Sequence, residues 1–317
     1  MRRWAGCIGG LLLLTSLARS DATTCSHRGE LDAPFCDANG DLVADVPAET
    51  SALRDPHTLI WAYAPIEDPA VYANLFKPFT RHLEKCLGRQ IVYYPIQSTK
   101  GEIQAMRTGR LHFAGFSTGS TVEAVNRAGA VPFAAKGIGS DVRGYHVMAI
   151  VNAASPYTSL QDLKGKRVAH ATPLSNSGHL APLAYFPDEG LAPGKDYAPI
   201  MSGSHDRSIL GVARGDYDMA AIASDVLDRM VERGMVDREA FRILYKSAKF
   251  PTSSFAHAHD LDPSLVEKMK ACFFNYEFTD EMKAEFGGDE RFLPIRYEQD
   301  WRSVREVIEK VSGAPPL

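Results

Sequence analysis

The chain has 317 residues, 45% of them hydrophobic and 23% charged. That is ordinary globular composition, which excludes a disordered or low-complexity chain, and the length suits two domains of roughly 100–150 residues. Lys and Arg number 35 against 39 Asp and Glu, a formal charge of −4, so nothing global favours nucleic acid. No apolar run reaches the length of about 18 residues that a membrane-spanning helix needs.

The N-terminus reads as an address label. Arg2 and Arg3 precede an apolar run centred on Leu11–Leu14, and Ala18 and Ser20 supply small residues before a cut. This predicts a cleaved secretory signal over residues 1–20, with an uncleaved membrane anchor as the alternative. Export agrees with the cysteines. Cys7 leaves with the signal, and Cys25, Cys36, Cys86 and Cys272 remain as an even set suited to an oxidising compartment. Cys25–Cys36 is the favoured pair, close in sequence within a polar leader. Cys86–Cys272 then ties an early helix to a late one. Free buried thiols are the alternative. With no CxxC, zinc-ribbon and thioredoxin chemistry are disfavoured.

Residues 21–56 are polar and read as an extended leader. Beyond them strands and helices alternate. Strands are expected at Leu59–Tyr63, Ile91–Tyr94, Leu111–Phe116, Tyr145–Val151, Arg167–Ala171, Tyr197–Met201, Met219–Ala223, Phe241–Tyr245 and Phe255–His259. Helices are expected at Pro69–Leu87, Lys100–Arg107, Ser120–Arg127, Leu180–Phe186, Arg207–Arg214, Asp225–Arg233 and Pro263–Phe274, with a short turn at Leu160–Leu163. The alternation predicts α/β architecture with parallel sheets. The charged stretch Tyr297–Lys310 reads as a solvated helix face.

Ligands of open α/β sheets collect where a strand ends and the next helix begins. Four such junctions are rich in hydroxyls, glycine and histidine: Gly115–Thr121, Pro173–His179, Ser202–Asp206 and Ala223–Asp225. Free N–H groups at a helix start, the positive end of its dipole and Ser or Thr hydroxyls together make a cradle for an oxyanion. At any single junction the plainer role is helix capping. No basic cluster accompanies them, so neutral dipoles in a desolvated cleft are expected to hold the anion. Charge-assisted hydrogen bonds of roughly 1.5–3 kcal/mol each suffice for that.

Gly115-Phe116-Ser117-Thr118-Gly119 also matches the GxSxG nucleophile elbow of α/β-hydrolases, with Asp225 and His257 or His259 as available partners. No HGGG-type motif precedes Ser117, and that reading leaves the later junctions unexplained. Asp37–Asp45 is similar to a calcium loop but lacks the glycine and glutamate of an EF-hand. His257 and His259 share a strand face without an evident third metal ligand. No metal or cofactor is expected.

Several segments in order resemble the periplasmic substrate-binding proteins of phosphonate, phosphite and phosphate ABC importers. They are Tyr63-Ala64-Pro65-Ile66-Glu67-Asp68-Pro69, Tyr94-Pro95-Ile96-Gln97-Ser98, Ala105–Leu111, Gly115–Thr121, Glu123–Gly129, Gly144-Tyr145-His146, Ser175-Asn176-Ser177-Gly178, Ser202–Asp206 and Ala223-Ser224-Asp225. The resemblance implies a type II periplasmic binding protein, two α/β lobes joined by two crossing strands near Tyr145–Asn152 and Lys246–Ser254. Lobe one is expected over residues 57–143 plus 249–317, and lobe two over 144–248. It further implies a periplasmic monomer that binds a tetrahedral phosphorus anion and serves an ABC importer permease. Ser175, Asn176, Ser177 and His205 would hold the anion from lobe two. Ser117, Thr118, Ser120 or Thr121 would meet it from lobe one. Tyr63, Gln97 and His146 would shape the space beside it. Asp225 would take an ammonium group or a P–OH proton.

Overall fold

The computed structural model describes residues 25–64 and 69–313. The expected signal segment, Cys7 and the Pro65–Asp68 part of the first quoted motif lie outside these residues. Residues 25–57 form no strand or α-helix, yet they are not a loose leader. Leu31, Phe35 and Ala44 are buried, and Asp32 ties them to lobe one through Arg107 and Arg127. The Cys25–Cys36 disulfide closes this segment.

The first lobe begins β1 (Thr58–Tyr63), α1 (Pro69–Leu75), α2 (Lys77–Leu87), β2 (Gln90–Tyr93), α3 (Thr99–Arg107), β3 (Phe113–Phe116), α4 (Thr118–Ala128), β4 (Ala130–Ile138) and β5 (Asp141–Val142). The chain then crosses into a second lobe. This holds β6 (Gly144–Asn152), β7 (Val168–His170), a five-residue π turn (Asn176–Leu180) running into α5 (Ala181–Tyr185), β8 (Ile200–Met201), α6 (His205–Arg214), β9 (Met219–Ala223), α7 (Ser224–Glu232) and β10 (Phe241–Pro251). It crosses back through Thr252 and Ser253 to β11 (Ser254–Ala258), α8 (Pro263–Phe274), α9 (Asp280–Glu285), β12 (Arg291–Pro294), α10 (Tyr297–Asp300) and α11 (Arg302–Ser312).

Each lobe is built on one sheet. The order in lobe one is β12-β4-β11-β3-β1-β2, with β5 on β4, and in lobe two β10-β6-β9-β7-β8. Both are mixed rather than wholly parallel. β1 runs parallel to β2 and β3, but β11 enters antiparallel between β3 and β4. In lobe two, β6 runs antiparallel to both β9 and β10. The return crossing delivers β11 with opposite direction between β3 and β4, and β12 and β5 also pair antiparallel with β4.

The core of lobe one is aromatic. Trp61 is surrounded by Phe76, Phe79, Tyr93 and Phe113 at ring separations of 4.9–5.5 Å. The Cys86–Cys272 disulfide joins α2 to α8 across 186 residues of sequence, inside this lobe. The sheet of lobe two carries smaller residues, Ala149, Ala169, Ala220 and Ala221 among them.

Two stretches differ from the sequence expectation. No element is expected over residues 130–138, yet β4 forms there with Pro132 inside it, a residue with no N–H for the ladder. A bulge opposite Phe255 and Ala256 accommodates the missing N–H. The Tyr297–Lys310 stretch is not simply a solvated face. Tyr297, Trp301, Val304 and Val307 are buried in one stripe, packed with α5 and α4, so the C-terminal helix spans both lobes.

Candidate functional site

All four hydroxyl-rich junctions meet at one cavity between the lobes. It encloses about 80 Å³ and is lined by Ser117 and Thr118, by Ser175, Asn176 and Ser177, by Gly203, Ser204 and His205, and by Ala223 and Asp225. The starts of α4, α6 and α7 and of the π turn all lie on its wall. Local chemistry shapes each start. Ser175 caps the π turn by accepting from the Gly178 N–H at 3.0 Å. Ser117 Oγ lies 2.8 Å from Ser120 Oγ. His205 Nε2 is 3.2 Å from both Ser175 Oγ and Ser177 Oγ, which joins two junctions into one surface. The lobes touch here through backbone: a Cβ on Gly119 would lie 2.4 Å from the Leu174 carbonyl oxygen, so only glycine lets α4 approach this closely.

Other expected residues are placed differently. Ser120 and Thr121 are fully buried beneath the α4 start, where Thr121 Oγ1 meets Ser254 Oγ at 2.8 Å. His146 turns its Nδ1 to the Ser247 carbonyl at 2.8 Å, along the crossing strands, and is not among the cavity's lining residues. Gln97 lies in a wider outer groove with Lys100, Gln104 and Arg207, which shares Thr99, Thr172, Gly203 and Ser204 with the cavity. Tyr63 lines the cavity, its hydroxyl 3.0 Å from Ser253 Oγ.

The cavity also holds charged residues that the sequence reading passed over. Lys136, Arg143, Arg229, Asp289 and Glu285 line it together with Asp225, so the expectation of purely neutral dipoles is corrected. The tertiary fold gathers cations from β4, the β5–β6 connection and α7. Only Lys136 had a readable signal, a lysine within the apolar run Ala130–Ile138. Burial raises the Asp225 carboxyl, but Arg229, His205 and Lys136 outweigh it and hold the group below its usual range. Asp289 is 1% exposed, and burial pushes it up to about 6 against the pull of Lys136 and Arg143. Buried acceptors face the same space. Asn176 Oδ1, Asp225 Oδ1 and Asp289 Oδ1 have no hydrogen-bond partner among the described residues.

The Ser117 hydroxyl meets that of Ser120. His257 and His259 lie in another groove, with Asn39 and Asp45, so the hydrolase constellation does not assemble. His257 bonds its neighbour's carbonyl at 2.9 Å, and His259 packs edge-on against Phe35. Within the Asp37–Asp45 loop, Asp37 accepts from the Leu42 N–H and Asp45 from the Ala38 N–H. Among the described residues no helix is long and apolar enough to cross a membrane.

Two α/β lobes, joined by two crossings and closed over a polar cavity, make a type II periplasmic binding fold. A sequence profile for the family "ABC transporter, phosphonate, periplasmic substrate-binding protein" matches residues 61–301, and the chain belongs to that family. The family is one of substrate-binding proteins, not enzymes. The Phosphate-import protein PhnD of Mycolicibacterium smegmatis is 29% identical over 242 residues, 73% of this chain and 75% of that protein. The Phosphonates-binding periplasmic protein of Escherichia coli is 28% identical over 211 residues, 65% of this chain and 62% of that protein. Among solved structures, PhnD1 of Prochlorococcus marinus in complex with methylphosphonate superposes with a TM-score of 0.72 at 19% identity, covering 82% of this chain and 100% of that one.

Proposed function

We propose that this chain is an exported, monomeric solute-binding protein of the periplasm. It captures a small tetrahedral phosphorus anion (phosphate, phosphite or a short phosphonate) between its lobes and delivers it to the permease of an ABC importer. The observation that carries the reading is the convergence of four hydroxyl-rich helix starts on one enclosed cavity. Helix-start N–H groups, Ser117, Thr118, Ser175, Ser177, Ser204 and His205 are donors suited to the anion's oxygens. Tyr63 bounds the space beside them.

The unpaired acceptors favour phosphorus over sulfur. A singly protonated phosphorus oxyanion carries a P–OH that Asp225 or Asn176 can accept, whereas sulfate at neutral pH has no proton to give. Buried acceptors left unpaired are costly, which makes the difference selective. A thermal-shift panel of phosphate, phosphite, methylphosphonate, 2-aminoethylphosphonate and sulfate tests this. A ligand at a hundred times its Kd stabilises by about 2.7 kcal/mol, so at least one phosphorus anion should raise the melting temperature and sulfate should not. A panel with no shift for any phosphorus anion removes the reading.

A further inference from the structure

Among the described residues, ion pairs join several of the charges around the cavity. Arg229 meets Asp225 at 2.9 Å, Arg143 lies 3.9 Å from Asp289, and Arg233 pairs with Glu285. Lys136 has no carboxylate within 4.0 Å among the described residues, although it is only 5% exposed. Its Nζ donates to the Tyr63 hydroxyl at 2.7 Å and lies 4.5 Å from the Phe286 ring centre and 5.2 Å from that of Tyr63. An ammonium has three N–H donors. One goes to Tyr63, and ring faces take part of the charge. The remaining donors meet no acceptor among the described residues, while the charge reaches the carboxylates of Asp225 and Asp289 without an ion pair to either. A buried ammonium with donors to spare is completed by an anion that docks against it.

Resting on the reading of the cavity as a phosphorus-anion site, we propose that Lys136 determines its specificity. Its ammonium contacts an oxygen of the bound anion, and its charge excludes ligands that carry an ammonium of their own. Lys136 lines the cavity, so a second ammonium bound there would face its charge. Among the described residues, the carboxylates that such a ligand would need, Asp225, Asp289 and Glu285, each already lie within 4.0 Å of an arginine. The site therefore takes phosphate, phosphite and methylphosphonate in preference to aminoalkylphosphonates. Affinity depends on the lysine's charge rather than only on its shape.

Calorimetric titration of methylphosphonate and 2-aminoethylphosphonate into wild type, Lys136→Met, Lys136→Gln and Lys136→Arg tests the assignment. Wild type is expected to prefer methylphosphonate by roughly tenfold or more, the scale of one close like-charge pair in a partly screened site. The Met and Gln variants should weaken methylphosphonate by about tenfold or more and bring the two ligands level. The Arg variant should keep the preference. Lys136→Met should melt lower than wild type without ligand, because it takes a cation away from the buried Asp225 and Asp289. If that variant fails to fold, Gln and Arg carry the comparison, since both keep a donor for Tyr63. A wild type that prefers 2-aminoethylphosphonate, or a preference unchanged in both neutral variants, overturns the role of Lys136. The reading of the cavity stands in those cases. Wild type that binds neither phosphonate, nor inorganic phosphate, overturns the cavity reading and this assignment together.

Discussion

The two lobes face the cavity with different chemistry. Lobe two presents helix starts, and its serines, Asn176 and His205 come from short runs of sequence. Lobe one contributes one such start, at Ser117 and Thr118. Otherwise it contributes single residues from separate elements: Tyr63 at the end of β1, Lys136 within β4, Ser253 in the return crossing and Asp289 before β12. The interiors differ too. Lobe one is stapled by Cys86–Cys272 and filled with aromatic rings, while the sheet of lobe two is lined with alanines. The contrast teaches that a rigid aromatic body can position isolated charges, whereas a donor surface of backbone N–H and hydroxyls needs only well-capped helices.

The largest expected effect tests the aromatic body. Trp61→Ala removes a fully buried ring with four aromatic neighbours and should cost about 3–5 kcal/mol in urea unfolding. A loss below about 1 kcal/mol would remove the distinction between the two interiors. His205→Ala should leave stability almost unchanged but weaken every phosphorus anion by roughly 1.5–3 kcal/mol, measured by calorimetry. Equal affinity in that variant would take lobe two's donor surface out of the site.

Gly119→Ala probes the contact between the lobes. The added methyl meets the Leu174 carbonyl, and such overpacking costs roughly 1–3 kcal/mol. That cost should appear as lost affinity with little change in unliganded melting, because separating the lobes relieves it. Reduced stability with intact affinity would show instead that the lobes stay fixed against each other.

Acid should not distinguish the lobes, since both bury neutral histidines. Burial lowers His257 in lobe one to about 4 and His170 in lobe two to about 3. Unfolded chains take up these protons near pH 6.5. Stability is therefore full above that value and falls as pH drops toward the folded values, by roughly 1.4 kcal/mol per unit for each histidine. Replacing either with Gln should shrink the loss between pH 7 and pH 5 by about 2 kcal/mol in denaturant titrations. An unchanged loss in one lobe alone would break the symmetry. The smallest effect belongs to Gln97, which lies in the outer groove. Gln97→Ala should change affinity by less than about 0.5 kcal/mol, and a larger loss would extend the site beyond the cavity.

Much of this was legible in the sequence. The four junctions could be found because a helix start, its cap and its hydroxyls lie within a few residues of one another, and the physics that proposes them as anion cradles is local. The disulfide pairing expected from the cysteine positions is the pairing the structure contains. The buried stripe Tyr297–Trp301–Val304–Val307 was also readable but was obscured by the charges around it.

What the tertiary structure alone decided is the charge of the cavity. Lys136 and Asp289 are 153 positions apart, and Lys136 sits on β4, where no element was expected. Neither has a local motif. They share one cavity only because β12 and β11 flank β4 in a mixed sheet and the crossings close the lobes. Helix-start chemistry travels with the chain, so sequence determined it. Coulomb interactions depend on separation through space, so which charges meet, and that Lys136 lies in the cavity wall with Asp225 and Asp289, waited for the fold.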